Sequence, residues 1–514
     1  MFTSGIKKYI KFKRKKSVGI DHISTTTLKE ITYEISEPIS HLINRSFECS
    51  TFPKILKHAV VIPIYKKGGK DNALNYRPIS LITCLSKVYE KIFKTRLSSF
   101  VTKHKLINKN QFGFQNGKST SDAIANLTAD IYEAMEKKNP AMCIFLDLCK
   151  AFDTVDHTLL LKTLENVGIR GKPLLFISSY LSNRTQSVRL GSTYSETLNV
   201  ECGIPQGTLL GPILFILYLN NIFNINIKGK LTSFADDTVL FIQDKNWSVL
   251  KIKAEHDLQK LKEWFDYKRL TINFEKTYFV PFCSYKPSLP EYKEIKIAFH
   301  KINISTSIKY LGIVIDSHLT WKNHISFVVK KLRSLLYLFK SIREYLDNKH
   351  IKIIYHSLIQ SHISYGIIGW GGILSVHLKD LIIIQKRFLK VWLNKPPTYP
   401  SDQLFLEARV LDPRQIHFKT LCEWEFQNKT QLPSREYKMR NNLNLPIPKM
   451  QKSIGQRSHS YLKIKAYNKL PNHVKNIPNY RKFQKELKTY LQNTPRLDIH
   501  QELDSKNFLW RFYQ

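Results

Sequence analysis

The chain has 514 residues and carries 80 Lys and Arg against 41 Asp and Glu, a formal net charge of +39. Hydrophobic residues make up 43% and aromatic residues 12% of it, which excludes a generally disordered protein and allows about three domains. The longest apolar run, residues 213–219, is far below the ~18 residues that a membrane helix needs. A charge this large requires a polyanionic partner, and nucleic acid is the first candidate.

Two segments concentrate the positive charge. Residues 1–18 form a basic tail, which suits a nuclear signal, a phosphate-binding arm or a solvated tail. Residues 431–500 hold 15 Lys and Arg with only three acids, which suits a surface along a phosphate backbone or a basic linker with short helices. The seven scattered cysteines form no Cys-x-x-Cys pair, so we expect a reduced intracellular protein without a disulfide-linked partner or a zinc ribbon.

Hydrophobic periodicity predicts strands and helices at short spacing up to about residue 320 and mainly helices after it, which is an α+β fold. Asp156 is the expected cap of a helix that Gly168 stops. In chain order, the other predicted elements are a strand at 59–65 that turns at 66–69, a helix at 119–138, a strand at 141–148, two strand pieces at 234–241, a helix at 248–270 and a strand at 310–315.

Asp147 follows an apolar run of strand length, in the segment Phe-Leu-Asp-Leu-Cys-Lys-Ala-Phe-Asp that ends at Asp153. A carboxylate at the end of a buried strand is costly unless a cation or hydrogen-bond donors meet it. The pattern indicates either a cation ligand or a cap of the next helix.

Two adjacent carboxylates, Asp236 and Asp237, lie at a predicted hairpin turn. Adjacent like charges raise each other's pKa, and a divalent cation relieves that repulsion. An ordinary solvated turn can have the same sequence, so this feature alone is weak evidence for a metal site.

Between these two motifs lies the segment Gly203-Ile-Pro-Gln-Gly207-Thr-Leu-Leu-Gly-Pro212. Two glycines around Gln206 favour a turn that approaches a ligand closely, because glycine tolerates close backbone contact and the glutamine amide can both donate and accept hydrogen bonds. A loop that begins a core helix is the alternative.

Taken together and in this order, the three motifs resemble those of the reverse transcriptases of non-LTR (LINE-type) retrotransposons, especially the jockey-like group of animals. The resemblance extends over about residues 15–495. It includes similar segments at 57–68, 75–81, 111–120, 270–277, 310–316, 321–324, 365–371, 385–387, 455–458 and 468–471.

The resemblance implies a right-hand polymerase fold, with a palm built on an antiparallel sheet. The expected domains are a basic N-terminal tail (1–18), fingers and palm (19–320), a helical thumb (321–395) and a mainly helical basic C-terminal region (396–514). It also implies an RNA-directed DNA polymerase, a nucleotidyltransferase that extends a primer on an RNA template. The implied partners are an RNA template, a DNA primer or target, and dNTPs, with no membrane, in the nucleus or a cytoplasmic ribonucleoprotein.

By motif match, Asp147, Asp236 and Asp237 are the expected catalytic carboxylates and ligands of two Mg²⁺ ions, with Mn²⁺ as the alternative. Two such ions activate the primer hydroxyl and stabilise the leaving pyrophosphate. The resemblance further implies that dNTP is held by Lys66, Arg77, Phe152, Gln206, Gly207 and Lys276, and that the template is gripped by Gln111 and Gly113. Phe152 would leave no room for a 2′-hydroxyl, unless it is only a core aromatic, and Lys276 has a surface lysine as its alternative. Asp153, Asp156 and His157 are expected to be structural caps.

The match departs from the family at Cys149, Thr208 and Asn221, none of which is an expected metal ligand. Full-length members usually carry an endonuclease before the polymerase, and we expect this chain to lack it. Two other functions stay open: a catalytically inactive relic that only binds RNA or DNA, and a group II intron-type enzyme that shares the acidic motifs.

Overall fold

The computed structural model describes residues 9, 18–284, 289–428, 444–494, 496, 499 and 503. Apart from residues 9 and 18, the predicted basic tail lies outside the described residues, as does the 431–443 part of the basic C-terminal segment. Among the described residues, no helix combines the length and the apolar character needed to cross a membrane.

Strands and helices alternate up to Asp316, and the described elements after it are helices, so the predicted α+β class is confirmed. The elements up to the acidic motif are α1 (Thr25–Glu30), α2 (Thr32–Glu48), β1 (His58–Tyr65), β2 (Tyr76–Leu81), α3 (Cys84–Lys103), α4 (Thr120–Glu136), β3 (Ala141–Leu146), α5 (His157–Asn166), α6 (Lys172–Leu181), β4 (Arg184–Leu190), β5 (Thr193–Tyr194), β6 (Leu198–Val200), α7 (Gly211–Leu219), β7 (Lys230–Phe234) and β8 (Asp237–Gln243).

The remaining elements complete the sheets and build a helical part. They are α8 (Trp247–Tyr267), β9 (Tyr278–Phe282), β10 (Glu294–Ile297), β11 (His300–Ile304), β12 (Ser307–Tyr310), β13 (Ile313–Asp316), α9 (Lys322–Arg343), α10 (Asn348–Ile354), α11 (Ser361–Ser364), α12 (Ile367–Trp370), α13 (Ser375–Leu393), α14 (Ser401–Ala408), α15 (Pro413–Asn428), α16 (Ser453–Gln456), α17 (His459–Lys469), α18 (Asn472–Lys475) and α19 (Tyr480–Asn493).

A central sheet has the strand order β10-β11-β9-β3-β8-β7, and β3 lies inside it. Cys143 of β3 pairs with Phe241 of β8 and with Val280 of β9, both antiparallel. The sheet is antiparallel as expected, except that β11 and β9 pair in parallel. An outer sheet joins β2, β1, β4, β5 and β6, and β12 pairs with β13 in a separate two-stranded sheet.

The alternation of side chains along the central strands divides the hydrophobic residues into two cores. Cys143 and Phe145 of β3 belong to one core, and Ile144 and Leu146 belong to the other. Because successive strand residues point to opposite faces, a continuous apolar run such as β3 is buried on both sides. The first core includes α4 and the helices after Asp316, and the second includes helices of the first 270 residues.

Local signals at helix ends match the structure. Ser119 and Asp122 form the reciprocal capping box of α4, and the Asp156 carboxylate accepts from the Leu159 N–H (2.8 Å) at the start of α5. Gly168 follows α5 with φ +92°, a conformation that favours glycine. The two strand pieces around the acidic motif are β7 and β8. These predictions are confirmed.

The predicted single strand at 310–315 is wrong. The structure forms a hairpin there, in which Tyr310 pairs with Ile313 around Leu311 and Gly312, whose φ values are +43° and +84°. A two-residue turn of this kind needs positive φ at both positions, and leucine adopts it rarely. The Tyr365 hydroxyl donates to the Leu311 carbonyl (2.7 Å) and so supports the turn from the helical part.

His324 gives a pH-dependent contribution to stability. Its ring is 2% exposed, lies 5.3 Å from the Trp370 ring and accepts from the Val314 N–H at Nδ1 (3.3 Å). Burial lowers the pKa of His324 to about 4. The unfolded chain, with an ordinary histidine pKa of about 6.5, takes up the proton first, so this stability is present above pH 6.5 and is lost as the pH falls toward 4.

We therefore expect His324→Phe to lose less stability than the parent when the pH is lowered from 7 to 5. The full linkage for one such histidine is about 3 kcal/mol by pH 4. Urea unfolding at several pH values measures the difference, and His473→Phe, at an exposed position, is the control. Parallel curves for the parent and His324→Phe would contradict this prediction.

Candidate active site

Asp147 lies directly after β3, beside the strand that follows the acidic turn. Leu146 pairs with Thr238, so Asp147 and Asp237 are the next residues at the ends of the same antiparallel pair. Burial raises the pKa of the half-buried Asp147 carboxyl, and the charges of Lys276 and Lys66 oppose that shift. The Lys276 Nζ is 3.9 Å from Asp147 Oδ2. The strand end therefore presents a carboxylate to basic side chains.

The second and third carboxylates lie on the turn between β7 and β8, which we call the acidic turn (residues 234–237). Phe234 pairs with Asp237, and Ala235 between them has φ +58°. The pKa of Asp236 is raised by burial and by the charge of Asp147. The pKa of Asp237 is raised to about 6 by burial, and then by the charges of Asp236 and Asp147. Three carboxylates thus repel one another at one place.

These three carboxylates are oxygen donors of the kind that suit a divalent cation. Mg²⁺ is usually held by one or two carboxylates together with substrate phosphates, and seldom by a cage made only of protein groups. Within the described part of the chain, no group of three or more His, Cys, Asp or Glu side chains is arranged so that it could hold a metal ion. A divalent cation would relieve the repulsion that raises the pKa values of the aspartates.

Two cations approach the carboxylates from the outer sheet. Lys66 follows β1, and Arg77 lies on β2 opposite Ile64. The charge of Lys66 opposes the rise in the pKa of Asp147 that burial causes, and the charge of Arg77 opposes the rise in the pKa of Asp236. Both side chains are exposed, so they are accessible to an anion. Their positions suit a triphosphate, with Arg77 offering a planar bidentate fork and Lys66 a point charge.

The loop between β6 and α7 packs against β2. The Ser80 N–H donates to the Gln206 carbonyl (2.8 Å), and Gly207 has φ +105°. A Cβ at Gly207 would lie 3.0 Å from the Ser80 carbonyl oxygen, so the approach is close. The Gln206 amide donates to the Asp153 carboxylate (2.9 Å). The expected cap role of Asp153 is therefore wrong: this residue orients the loop glutamine.

His157 also holds this loop instead of serving only as a cap. Its Nε2 is 2.8 Å from the Gly203 carbonyl oxygen, so the ring donates to it in the tautomer protonated there. Asp156 accepts from Arg269 (2.6 Å) in addition to capping α5. The loop is thus fixed from the side of α5 as well as from β2.

A buried carboxylate that the sequence analysis missed anchors the same loop. Glu90 of α3 is 0% exposed and accepts from the N–H groups of Leu209 (2.5 Å) and Leu210 (3.3 Å) and from the Tyr180 hydroxyl (3.0 Å). Arg184, also buried, donates to the Tyr180 carbonyl (3.2 Å). The available signal was that Glu90 occupies the apolar stripe of α3, which continues with Phe93, Leu97 and Val101.

Phe152 lies in a stack of aromatic rings beside the loop. Its ring is 4.1 Å from that of Phe215 with an interplanar angle of 18°, and 6.3 Å from that of Phe114 in an edge arrangement. The side chain is half-buried, with one part in the core and another part exposed. Phe152 is therefore held rigidly, yet it retains a surface that a ligand can touch.

Gln111 and Gly113, which the resemblance assigns to template binding, pack against the buried side of the acidic turn. Gln111 is 0% exposed, and its amide oxygen accepts from the N–H groups of Ala235 (3.0 Å) and Gly113 (2.9 Å). Gly113 is also buried. In this arrangement, the Gln111 side chain contacts the backbone of the acidic turn and has no surface to offer to a template.

The comparisons with known proteins agree with this site. Residues 64–315 match the family model described as reverse transcriptase (RNA-dependent DNA polymerase). The chain contains a reverse transcriptase domain. The matched residues include both aspartate motifs, the loop of residues 203–212 and all of the β12–β13 hairpin except Asp316. Reverse transcriptases act on a nucleic-acid template and generally use divalent metal ions.

Relatives of this chain include the RNA-directed DNA polymerases of non-LTR transposons. It is 27% identical over 396 residues to a probable RNA-directed DNA polymerase from transposon BS, and 28% over 393 residues to that from transposon X-element, both of Drosophila melanogaster. It is 27% identical over 387 residues to the RNA-directed DNA polymerase from mobile element jockey of the same organism. The matches cover 73–74% of this chain but only 42–43% of those proteins.

Among solved structures, the chain is similar to two telomerases. One, from Candida albicans in complex with a fragment of telomeric RNA, is 12% identical with a TM-score of 0.35, over 80% of this chain and 68% of that one. The other, apo telomerase from Candida tropicalis, is 15% identical with a TM-score of 0.35, over 55% and 59%.

Proposed function

We propose that this chain is an RNA-directed DNA polymerase, a nucleotidyltransferase that adds dNTPs to a primer 3′-hydroxyl on an RNA template. The observation that carries the proposal is the convergence of Asp147, Asp236 and Asp237 where β3 ends and the acidic turn begins. Burial and mutual repulsion raise the pKa values of Asp236 and Asp237 there. Clustered carboxylates of this kind are the oxygen donors that Mg²⁺ takes in polymerase sites.

In this proposal, Asp147 and Asp236 hold two Mg²⁺ ions, or Mn²⁺ in their place, and Asp237 completes the cluster. When bound, the two ions activate the primer hydroxyl and stabilise charge on the attacking and leaving oxygens. Lys66, Arg77 and Lys276 hold the triphosphate, since all three are exposed around the carboxylates. Gln206 and Gly207 pack against the nascent base pair, in an orientation that Asp153 and Ser80 fix.

Phe152 selects the sugar in this proposal. We expect Phe152→Val to increase incorporation of rUTP relative to dTTP by about tenfold or more, because removing a wall of the pocket changes discrimination by about 1–3 kcal/mol. The ratio of kcat/KM for the two nucleotides on one template measures the effect. Leu175→Val, at an exposed position of α6, is the control. An unchanged ratio, with dTTP incorporation intact, would contradict the role of Phe152.

The nucleic-acid partner is further supported by a cleft of about 770 Å³ between α9 and α13. We call it the basic cleft; its charged lining consists of Lys340, Arg343, Glu344, Lys386, Arg387, Lys390 and Lys395. Lys395 pairs with Glu407 (3.0 Å), whereas Lys340, Lys386 and Arg387 form no ion pair within the described part of the chain. Such a surface suits a phosphate backbone.

We expect Lys386→Ala combined with Arg387→Ala to weaken binding of an RNA–DNA duplex equally for all sequences. The slope of log affinity against log salt should fall in magnitude by roughly 0.9 for each phosphate that the variant no longer neutralises. Fluorescence anisotropy across a salt series measures this. Lys301→Ala removes a lysine that already pairs with Glu294 (2.9 Å) and is the control. An unaltered slope in the double variant would exclude the basic cleft from the binding surface.

The proposal also keeps the segment of Gln111 and Gly113 near the template, and it implies work on nucleic acid inside the cell, in the nucleus or a cytoplasmic ribonucleoprotein. The test is extension of an oligo(dT) primer on poly(rA) with dTTP and Mg²⁺, beside a sample with excess chelator. Extension that requires the metal is expected. Folded protein that binds the duplex with a steep salt dependence but extends nothing would overturn the proposal in favour of a binding relic.

A further inference from the structure

The segment before α4 lies against the last residues of β7. The Ser233 N–H donates to the Asn110 carbonyl (3.0 Å), and the Phe112 N–H donates to the Ser233 carbonyl (2.7 Å). These two bonds enclose Gln111, which forms a parallel bridge with Ser233. The segment therefore contacts the strand that leads into the acidic turn on its buried side.

The buried side chain of Gln111 joins the two segments. Its Oε1 accepts from the N–H groups of Ala235 (3.0 Å) and Gly113 (2.9 Å). Because both partners are backbone donors, only the amide oxygen can face them, and this fixes the orientation of the group. The Gln111 Nε2 has no hydrogen-bond partner among the described residues. Burying an amide nitrogen without a hydrogen-bond partner costs free energy, so the presence of this side chain points to a role for its oxygen.

Ala235, whose N–H donates to this oxygen, has a strained backbone conformation. Ala235 is 4% exposed and has φ +58°, which costs a residue with a Cβ roughly 1 kcal/mol or more. It directly precedes the two repelling carboxylates of the turn. A Cβ at Gly113 would lie 2.3 Å from the Ala235 nitrogen, so only glycine permits this approach. The turn is thus held by a neutral acceptor and by close backbone packing.

We infer that Gln111, together with Gly113, is a positioning residue that holds Ala235 in its left-handed conformation and so aims Asp236 and Asp237 into the site. This inference rests on the proposed function. Gln111 acts through the backbone of the acidic turn, and its neutral amide supplies an acceptor without adding a fourth negative charge. The role differs from contact with the template, because it requires no exposed surface.

Gln111→Leu removes the acceptor at similar size. We expect kcat for single-nucleotide extension to fall by about tenfold or more, because small displacements of reacting groups have large effects on rate. The dNTP KM and the duplex Kd should stay within about twofold, since neither ligand touches this side chain. Adding Ala235→Gly should restore part of kcat, because glycine adopts positive φ without the Cβ penalty. Gln259→Leu, on α8, is the control.

A second readout does not depend on catalysis. The acidic-turn peptide should exchange its amide hydrogens faster in Gln111→Leu than in the parent, because the Ala235 N–H loses its acceptor. If Gln111→Leu does not fold, Gln111→Met, which also removes the amide acceptor at similar length, serves in its place, with the same expected pattern. An unchanged kcat and exchange rate, or a loss confined to duplex Kd, would overturn the inference. If the parent itself extends no primer, the proposed function fails, and the exchange rate still decides this inference.

Discussion

Asp236→Ala is expected to abolish primer extension while the protein stays folded and continues to bind nucleic acid. Asp236 is half-buried on the acidic turn, and its pKa is raised by burial and by Asp147. Metal-ion stabilisation of the transition state is worth several kcal/mol, so the loss should be on the order of 10³-fold or more. We expect Asp147→Asn to lose primer extension to a similar extent. Asp266→Ala, on the surface of α8, is the matched control and should retain the parental rate.

The same site predicts a dependence on pH. Burial and the two neighbouring carboxylates raise the pKa of Asp237 to about 6, so its proton persists to higher pH than in an ordinary aspartate. Since a metal ion competes with that proton, the Mg²⁺ concentration needed for half-maximal extension should rise as the pH falls from 8 toward 6. Asp237→Asn should flatten this dependence. A requirement for Mg²⁺ that does not vary with pH would contradict the assignment of Asp237 to the cluster.

Among the substitutions proposed for this chain, Glu90→Leu is expected to cause the largest decrease in the free energy of unfolding. The carboxylate is buried with Arg184 and accepts three hydrogen bonds, two of them from the loop that carries Gln206. Its removal leaves the Arg184 charge buried without its nearby carboxylate and leaves the N–H groups of Leu209 and Leu210 without that acceptor. Leaving buried hydrogen-bonding groups without their partner in this way costs about 1–3 kcal/mol for each group.

Urea unfolding measures this cost. Glu48→Leu, at an exposed glutamate that pairs with Arg45 at 3.8 Å, is the control and should change stability by less than about 0.5 kcal/mol. Glu90→Gln keeps the shape of the side chain and one acceptor oxygen. Its loss of stability should therefore lie between those of Glu48→Leu and Glu90→Leu. A loss below about 1 kcal/mol in Glu90→Leu would show that the loop is held by other contacts.

The sequence was informative where one local signal dominates. The buried strand before Asp147, the turn at Asp236 and the cap at Asp156 each follow from short patterns of apolar, acidic and glycine residues. Contacts between distant segments were not accessible in this way. The hydrogen bonds that the Ala235 N–H donates to Gln111 and the Leu209 N–H donates to Glu90 join residues 124 and 119 positions apart, and no local pattern encodes their pairing.

Two errors have a specific physical origin. The strand predicted at 310–315 is a hairpin, because Leu311 takes a positive φ that its residue type disfavours and that Tyr365 supports from a distant part of the chain. The cap expected at Asp153 instead binds the Gln206 amide, since the chain returns to it 53 residues later. In both places a tertiary contact outweighs the local preference.

The central claim, that the acidic turn is the catalytic centre, is tested most directly by primer extension on poly(rA)/oligo(dT) with dTTP and Mg²⁺. The parent and Asp236→Ala are compared side by side, at concentrations that give the same amount of bound duplex. Products from the parent and none from Asp236→Ala, with equal duplex affinity, are the predicted result. Extension of equal rate by both proteins would contradict the claim that the acidic turn is the catalytic centre.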